Sequence, residues 1–397
     1  DYAGATAIAT GDQFTCAIVN GGVWCWGAGW NGRIGDNTGN SYNIPVQVKG
    51  VGGVGILTNV TDIAGSDNTM CALSDGNVYC WGYGADGRMG INNAADRWAP
   101  VKVLGVGGVG VLSDVQQVSG MGGSQCALSN GGVYCWGYNG SGRLGNGNNT
   151  NQFLPVATTG LGSGVQEISG VDGVQCALTN GLEKCWGWNG NGRIGDNTSN
   201  DRWGPVNVVG VAGVGTLANV QYVVRPSNQS QSNCAIQNGS LKCWGRNSEG
   251  QLGNGNNSES WTPVQAVGIT TGAVEVAMGN LSTCVNQAGA IQCWGYNNNG
   301  ELGNNTNVPT NVPSYTMSFT IDTTSLGAFS ITGFTGGTDV ILDGLVTDNV
   351  NPVVNFTASS GAATYDVTIK DMSNVVKCTS NGNVTLAADS LNIANSI

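Results

Sequence analysis

The chain has 397 residues, of which only 10% are charged, and its net charge is −11 because 25 Asp and Glu outnumber 14 Lys and Arg. No basic stripe is present, which argues against binding to nucleic acid or to an anionic membrane surface, since both depend mainly on Lys and Arg. The sequence contains no His, so it has no Ser-His-Asp or Cys-His catalytic set.

Six copies of one hairpin motif follow one another along the chain. Each reads Cys, eight residues, Cys-Trp-Gly, and its midpoint falls on a two-residue turn that is Asn-Gly, Asp-Gly or Ala-Gly. Asn-Gly and Asp-Gly are the strongest short hairpin signals, because a type I′ turn needs a positive φ at both central residues. The turns are Asn20-Gly21, Asp75-Gly76, Asn130-Gly131, Asn180-Gly181, Asn238-Gly239 and Ala288-Gly289.

The turn positions fix how the cysteines of each motif face one another. Counting outward from Asn20-Gly21 puts Cys16 opposite Cys25 at a non-hydrogen-bonded pair, where the side chains lie closest. The same count in each copy predicts six disulfides, which indicate an oxidising compartment. The predicted pairs are Cys16–Cys25, Cys71–Cys80, Cys126–Cys135, Cys176–Cys185, Cys234–Cys243 and Cys284–Cys293.

The hairpins recur every 50 to 58 residues, and each repeat continues in the same way. A Gly-x-[Leu/Ile/Met]-Gly motif follows, as at Gly32 to Gly35, and then an Asn-rich loop and, in five repeats, Pro-Val. A period near 50 with about four short strands per repeat is typical of a β-propeller. We therefore expect an all-β fold.

The stretch Cys-Ala-Leu-Ser-Asn-Gly-Gly-Val-Tyr-Cys-Trp-Gly-Tyr-Asn-Gly-Ser-Gly-Arg-Leu-Gly-Asn (126–146) resembles the regulator-of-chromosome-condensation repeat, in the disulfide-bearing form of secreted bacterial proteins. The resemblance covers about residues 7–313 and implies a β-propeller of four-stranded blades. The family is usually seven-bladed, whereas this chain shows six hairpins, so the ring has either six blades or an incomplete set of seven. Family repeats often carry His-Thr before the first Cys, and this chain has no His there. We do not transfer the nucleotide-exchange activity of the nuclear member, because the predicted disulfides and the acidic charge argue against it.

One Trp follows the second Cys of every hairpin: Trp26, Trp81, Trp136, Trp186, Trp244 and Trp294. Along a strand, this Trp points away from the face of the adjacent Cys, and both faces of a blade pack on neighbouring blades. We therefore interpret these residues as core between blades. The glycines that follow them are expected to permit tight turns near the crowded propeller axis.

The position two residues past that Trp varies between repeats and is the candidate ligand-binding position. It carries Ala28, Tyr83, Tyr138, Trp188, Arg246 and Tyr296. A ring of exposed aromatic side chains there would suit a carbohydrate or a protein, and packing on the next blade is the favoured alternative. The Gly-Val insertions 51–57, 106–112 and 211–217 are a second variable feature, interpreted either as a contact surface or as loop variants.

Other chemistry is not indicated by the sequence. Asp36-Asn37 and Asp196-Asn197 lie in equivalent loops, but the calcium-loop pattern Asp-x-[Asp/Asn]-x-[Asp/Asn]-Gly is missing. No pair of carboxylates recurs at a catalytic spacing. We expect no enzymatic activity, no cofactor and no metal site.

From residue 314 onward the repeat stops and alternating strand patterns replace it. The stretch 354–370 resembles a fibronectin type III-like or bacterial immunoglobulin-like sandwich, and this match is less specific. We therefore divide the chain into a propeller, 1–313, and a β-domain, 314–397, whose last strands are expected to be missing. Cys378 is the odd thirteenth cysteine and has no predicted partner in the chain.

Together these features predict a non-enzymatic extracellular structural or adhesive protein of a cell surface, appendage, filament or virion. An incomplete sandwich exposes a sheet edge, so self-assembly by β-strand addition is one expectation, and a fragment of a longer surface protein is the favoured alternative to it. The partners would be other copies of the chain or other surface proteins. A secreted propeller that binds a protein or a glycan is the competing interpretation.

Overall fold

The computed structural model describes residues 4–224 and 230–315, together with five short strands nearer the C-terminus. The first two ranges form six four-stranded sheets, and in each sheet the strands pair in chain order and antiparallel. Each sheet is one blade, and the first strands of blades 1 to 5 lie side by side in succession, so that they are the innermost strands. This is the architecture of a β-propeller, as the repeat period predicts.

The strands of the six blades have the following bounds: β1 Ala5–Thr10, β2 Phe14–Val19, β3 Gly22–Gly27, β4 Tyr42–Gln47; β5 Val60–Ser66, β6 Thr69–Ser74, β7 Asn77–Gly82, β8 Arg97–Lys102; β9 Val115–Met121, β10 Ser124–Ser129, β11 Gly132–Gly137, β12 Gln152–Ala157; β13 Val165–Val171, β14 Val174–Thr179, β15 Leu182–Gly187, β16 Arg202–Asn207; β17 Val220–Val223, β18 Ser232–Gln237, β19 Ser240–Gly245, β20 Ser260–Gln265; β21 Ala273–Met278, β22 Ser282–Gln287, β23 Ala290–Gly295, β24 Thr310–Tyr315. Seven single-turn 3₁₀ helices lie between them: Trp30–Gly32, Val51–Gly53, Ala85–Gly87, Val106–Gly108, Gly140–Gly142, Gly190–Gly192 and Val211–Gly213.

The second and third strands of every blade form the hairpin that the sequence predicts. In blade 1, Val19 pairs with Gly22 and Cys16 with Cys25, and both turn residues have positive φ, 51° at Asn20 and 73° at Gly21. The other five hairpins have the same register and the same positive φ values. The structure joins the facing cysteines of each hairpin in a disulfide, with Cα atoms 4.0 to 4.1 Å apart.

The hydrophobic core of the described propeller consists of five separate clusters, each between two consecutive blades. The repeat Trp of the following blade is fully buried in each cluster, as with Trp81 between blades 1 and 2. Its indole N–H donates to a backbone carbonyl of the preceding blade, from Trp81 to Arg33 at 3.0 Å and from Trp136 to Arg88 at 3.0 Å. Trp186, Trp244 and Trp294 make the equivalent bond. Five of the six repeat Trp residues are therefore core, as predicted.

Trp26 is the exception, because blade 1 has no described blade in front of it. Trp26 is only half-buried and makes no hydrogen bond to a carbonyl of the described residues. Ile8 on β1 is 68% exposed, whereas Ile168, at the same register in blade 4, is fully buried. Within the described ranges the ring thus has no core joining blade 6 to blade 1.

The trailing side of blade 6 is equally open. A Cβ at Gly32 of blade 1 would lie 2.5 Å from the Cα of Trp98 in blade 2. A Cβ at the equivalent Gly300 would find its nearest neighbour, Asn307 of its own loop, 3.8 Å away. The leading face of blade 1 and the trailing face of blade 6 are therefore both uncovered among the described residues. The equivalent faces of the other blades are covered by a neighbouring blade.

The glycine motif after each hairpin lies elsewhere than expected. It packs between blades and not at the axis: a Cβ at Gly32 would meet Trp98, and one at Gly35 would lie 2.8 Å from the indole nitrogen of Trp81. The glycines do form tight turns, with φ of 77° at Gly32 and 74° at Gly35, but these turns lie between blades and not at the axis. The glycines are needed because the next blade's Trp and outermost strand approach the loop backbone directly.

The Gly-Val insertions lie on the outer rim. The 3₁₀ turns at 51–53, 106–108 and 211–213 each pack on the outermost strand of the next blade, β8, β12 and β20. Their tips expose Val54, Val109 and Val214 to solvent almost completely. The insertions therefore pack neighbouring blades together, and each leaves the valine at its tip exposed to solvent.

Five strands are described beyond residue 315: β25 Ser330–Thr335, β26 Val353–Thr357, β27 Val367–Lys370, β28 Val376–Ser380 and β29 Ser390–Asn392. They form a three-stranded sheet, β25-β26-β29, and a separate hairpin, β27-β28. Most of the predicted sandwich, 314–397, lies outside the described residues, so the domain boundary remains a prediction. In the part of the chain that is described, no helix has the length and apolar character needed to span a membrane.

Candidate functional site

The candidate site lies at the end of the propeller that carries the turns between the first and second strands of each blade. We call these turns, 11–13, 67–68, 122–123 and 172–173, the axial turns, because the innermost strands lead into them. The turns of blades 1 and 2 touch, with the backbone N–H of Asp12 donating to the carbonyl oxygen of Asp67 at 2.6 Å. The loops after the third strands reach the same end and supply the side chains that surround these turns.

Four arginines from those loops form what we call the arginine collar: Arg33, Arg88, Arg143 and Arg193. Each occupies the variable position of a Gly-x-[Leu/Ile/Met]-Gly motif. Nη1 of Arg33 donates to the carbonyl oxygen of Asp12 at 2.8 Å, and Nη1 of Arg193 donates to that of Asp172 at 3.0 Å. Arg143 binds the carbonyl of Gly122 in the same way. Three collar arginines thus bind axial turns through backbone carbonyls, whereas Arg88 reaches its turn through an ion pair with the carboxylate of Asp67 at 3.6 Å.

The candidate aromatic position provides the other face of this collar. The guanidinium of Arg88 lies 5.1 Å from the ring centre of Tyr83, and those of Arg143 and Arg193 lie 5.0 and 4.0 Å from Tyr138 and Trp188. Such cation–π contacts contribute on the order of 0.5–2 kcal/mol each. These aromatic side chains are half-buried or just exposed, so they both pack within their own blade and keep one edge in solvent.

The remaining blades depart from this pattern. Blade 1 has the buried Ala28 at the aromatic position, and Trp30, two residues later, stacks on Arg33 at 4.9 Å instead. Blade 5 has Arg246, which binds the side chains of Gln231 at 2.7 Å and Ser248 at 2.9 Å. Tyr296 of blade 6 is half-buried, and the arginine of its motif is replaced by Glu301. The structure therefore places an aromatic side chain against a collar arginine in blades 2, 3 and 4, through Tyr83, Tyr138 and Trp188.

The charges at this end are unequally accessible. Arg193 and Arg33 are buried, and the side chain of Arg88 is 11% exposed, whereas the side chains of Asp67 and Asp172 are 43% and 30% exposed. Burial lowers the pKa of Arg193, and its hydrogen bond to Asp172 opposes that shift. Burial also raises the pKa of Asp67, Arg88 and Arg143 lower it, and Asp172 and Asp12 raise it again. The arginines are held beneath the surface, and the carboxylates face the solvent.

Several buried polar atoms at this end have no hydrogen-bond partner. They include Nε of all four collar arginines, Nη2 of Arg193, Oδ1 of Asn68 and Oε1 of Gln125. The sequence analysis missed the collar arginines and the axial aspartates. The signal available was the Arg that recurs in the glycine motif of blades 1 to 4, 21 residues after the axial turn that it binds.

Two groups of residues contain side chains of the types that bind metal ions. The Asp36 carboxylate accepts bonds from the hydroxyl and amide of Thr38 and from the hydroxyl of Tyr42, at 2.6 to 3.0 Å. The one close group of potential ligands within the described residues is Cys176, Glu183 and Cys185, and its two cysteines are bonded to each other. Neither group therefore offers a set of free ligands.

The comparisons with known proteins agree with the repeat pattern. The model of the regulator of chromosome condensation (RCC1) repeat matches residues 20–73, 75–128, 130–177 and 238–285, which is just over half of the chain. The ultraviolet-B receptor UVR8 of Arabidopsis thaliana is 30% identical over 152 residues, 37% of this chain and 33% of that protein. The human E3 ubiquitin-protein ligase HERC2 is 30% identical over 142 residues, 36% of this chain and 3% of that protein. The chain thus spans at most about a third of either relative.

Solved structures show the same fold. Yeast RCC1 (Prp20), in its complex with Kap60, superposes with a TM-score of 0.63 at 20% identity, over 78% of this chain and 74% of that chain. Human WBSCR16 superposes with a TM-score of 0.56 at 22% identity, over 69% of this chain and 70% of that chain. On the extent of the repeat match, the chain belongs to the regulator of chromosome condensation (RCC1) repeat family.

Proposed function

We propose that this chain is the propeller of a non-enzymatic extracellular protein that binds protein partners through the end formed by the axial turns and the arginine collar. The observation that carries this proposal is the collar itself. It ties three axial turns by hydrogen bonds and a fourth by an ion pair, while leaving aromatic edges and carboxylates in solvent. Half-exposed aromatic side chains on such a support are typical of protein-binding surfaces. One yeast relative, RCC1 (Prp20), supports the proposal, since one of its structures was solved bound to Kap60 and another is described with its binding properties to Gsp1p and histones.

The extracellular assignment rests on the disulfides. Six bonded pairs in one domain are expected in an oxidising compartment and would be unusual in a reducing one. Relatives such as RCC1 are intracellular, so this assignment needs a direct test. Free thiols are counted in the protein isolated from its source, by mass spectrometry after alkylation without reduction. The six disulfides predict at most one alkylated cysteine among the 13 in the chain. Free thiols at the hairpin positions would overturn the extracellular proposal.

The binding proposal is tested by capturing partners with the full chain. Immobilised protein is incubated with the surface and secreted proteins of its source, and bound proteins are identified by mass spectrometry. We compare the unaltered chain with Tyr138→Ala at the collar and with Val54→Ala at the rim. Loss of a captured protein with Tyr138→Ala and retention with Val54→Ala supports the collar end. The reverse pattern would place binding on the rim insertions, and capture of glycans alone would favour the carbohydrate alternative.

A structural role in a surface filament is a further part of the proposal. It depends on strand addition by residues 314–397, most of which lie outside the described range. Electron microscopy of the native material should then show linear assemblies at high concentration. Isolated particles at every concentration would exclude this part and leave the binding proposal untouched.

A further inference from the structure

Blade 4 places a carboxyl group beside its disulfide. Glu183 is fully buried, and its Oε1 lies 3.7 Å from Sγ of Cys185. One carboxyl oxygen of Glu183 and the sulfur atoms of Cys176 and Cys185 lie within 4.8 Å of one another, and no other disulfide of the described residues has a carboxyl group this close. The other five blades carry only an aliphatic side chain at this register: Val23, Val78, Val133, Leu241 and Ile291.

The second sulfur atom of this disulfide also has a polar neighbour. Asn233 of blade 5 is 1% exposed, and its Nδ2 donates to Sγ of Cys176 at 3.2 Å. In blade 3, Sγ of Cys135 lies 3.4 Å from the hydroxyl of Thr158, but that hydroxyl already donates to the carbonyl oxygen of Leu144 at 3.1 Å. In blade 4, polar side chains therefore contact the disulfide at both sulfur atoms.

The carboxyl group of Glu183 lacks a hydrogen bond that reduction of the disulfide would supply. Burial raises the pKa of Glu183 well above its ordinary value, so the group keeps its proton and has one acceptor oxygen besides its O–H. Its Oε2 has no hydrogen-bond partner. A disulfide has no hydrogen to donate, whereas two thiols have two. Reduction therefore places S–H donors beside a buried acceptor that lacks one, and an aliphatic side chain offers no equivalent gain.

We propose that Cys176–Cys185 is a redox-labile disulfide, which a dithiol reduces while the other five bonds remain intact. One thiolate of the dithiol attacks Sγ of Cys176, the bond to Cys185 breaks, and the Cys185 thiolate takes the proton of Glu183. The second thiol of the reductant attacks the mixed disulfide, so that the reductant leaves as a cyclic disulfide and Cys176 becomes a thiol. The two protons of the dithiol pass through water to Cys176 and back to Glu183, and its two electrons remain on the cysteine pair.

Access to the bonds makes a different prediction. Cys176 and Cys185 are buried, as are the hairpin cysteines of blades 1, 2, 3 and 5, so a junction between blades must open before any of these bonds reacts. Cys284 of blade 6 is only half-buried, so access alone would favour reduction of Cys284–Cys293. The hydrogen-bond argument concerns the equilibrium between the oxidised and reduced pairs, and it favours blade 4.

The test holds the full chain, without denaturant, in buffers that contain reduced and oxidised dithiothreitol at fixed ratios. After equilibrium is reached, exchange is stopped with acid, free thiols are alkylated, and mass spectrometry measures the reduced fraction of each cysteine pair. The variants are Glu183→Val, which copies the residue of blades 1 to 3, and Glu183→Gln, which keeps an oxygen acceptor on a side chain of the same length. Thermal unfolding checks that both variants are folded.

We expect the equilibrium constant for reduction of Cys176–Cys185 to exceed those of the bonds in blades 1, 2, 3 and 5 by roughly tenfold, because a buried acceptor gains a donor. Glu183→Val should bring the constant to their level, and Glu183→Gln should leave it raised. The constants of the other five bonds should be the same in every variant.

Four results would overturn the proposal. The first is preferential reduction of Cys284–Cys293, which would show that access decides, and the second is an unchanged constant for Cys176–Cys185 in Glu183→Val. The third is a parallel fall of all six constants in Glu183→Val, which would indicate a general stabilisation of the propeller. The fourth is an equal fall in Glu183→Val and Glu183→Gln, which would indicate packing and not the acceptor. The proposed function does not depend on any of these results, because it concerns binding at the collar end.

Discussion

The indole N–H of Trp81 donates to the carbonyl oxygen of Arg33 across the boundary between blades 1 and 2, at 3.0 Å. The guanidinium of Arg33 in turn donates a hydrogen bond to the carbonyl oxygen of Asp12 at the axis. One residue therefore joins the interblade core to the candidate binding site. The relationship recurs at Arg143 and Arg193. At Arg88 the carbonyl accepts from Trp136 in the same way, but the guanidinium pairs with the carboxylate of Asp67 at 3.6 Å.

The bond predicts a difference between two equivalent tryptophans. Trp81→Phe should lower the free energy of unfolding by about 1–3 kcal/mol, because it leaves the buried carbonyl of Arg33 without a donor. Trp26→Phe should have a much smaller effect, since Trp26 is half-buried and has no carbonyl partner among the described residues. Urea unfolding followed by circular dichroism measures both. Equal losses would mean that Trp26 is covered in solution.

The open face of blade 1 predicts a second contrast. Ile168→Ala should cost about 2–5 kcal/mol, because the side chain is fully buried between blades 3 and 4. Ile8→Ala, at the same strand register, should cost about 0.5 kcal/mol or less, as is usual for exposed positions. The same unfolding measurement applies. A large loss at Ile8 would show that another segment or another molecule packs on this face.

The sixth hairpin turn contains a residue that fits its backbone poorly. Ala288 has a φ of 53° where four other turns have Asn at 49° to 51°. The left-handed region costs a residue with a Cβ roughly 1–2 kcal/mol, and Asn tolerates it better. Ala288→Asn should therefore raise the free energy of unfolding by about 0.5–1 kcal/mol. The reciprocal change Asn238→Ala should lower it, and a stabilising Asn238→Ala would contradict the argument.

Glu183 predicts a dependence on pH. It is fully buried at a position that holds Val or Leu in blades 1, 2, 3 and 5, and its Oε2 has no hydrogen-bond partner. Burial, with a smaller contribution from Glu167, raises the pKa of Glu183 well above its ordinary value. The folded state thus keeps a proton that the unfolded chain releases near pH ~4.3. The contribution of Glu183 to stability is therefore greatest below that pH and falls as the pH rises toward the folded-state pKa.

Glu183→Val should remove the decrease in the free energy of unfolding that Glu183 causes as the pH rises. The variant should be more stable than the unaltered chain at neutral pH, by about 1–3 kcal/mol, and the difference should shrink as the pH falls toward 4. Glu275→Val, at an exposed position of β21, serves as the control and should leave the pH profile unchanged. Denaturant unfolding between pH 4 and 8 measures all three. A difference that is constant with pH would indicate a packing effect alone.

The local structure of the blades could be predicted from the sequence because it depends on neighbouring residues. A turn such as Asn20-Gly21 fixes the register of its own hairpin, and that register determines which side chain faces Cys16. The repeat period then indicates a propeller, because a unit with two apolar faces must stack on copies of itself. The burial of Trp81 and its equivalents follows from the same pattern.

The candidate site could be predicted only in part. The aromatic position with Tyr83, Tyr138 and Trp188 was identified from its variation, but the collar was not, since Arg143 and Gly122 are 21 residues apart and meet only when a loop folds back on its own blade. The contact between Asp12 and Asp67 depends on two different blades that share one axis, and no local pattern records it. The exposure of Ile8 is likewise invisible in the sequence, where it reads like any other inner-strand residue.

The sequence by itself thus determined the hairpins, their facing cysteines and the stacking of six blades, because these follow from turn chemistry and from contacts within one repeat. Tertiary structure alone decided which charges reach solvent at the axis, where the glycine motifs pack and which blade faces remain uncovered. Those properties depend on distances between repeats, and electrostatic interactions and burial are set by distance in space and not by position along the chain.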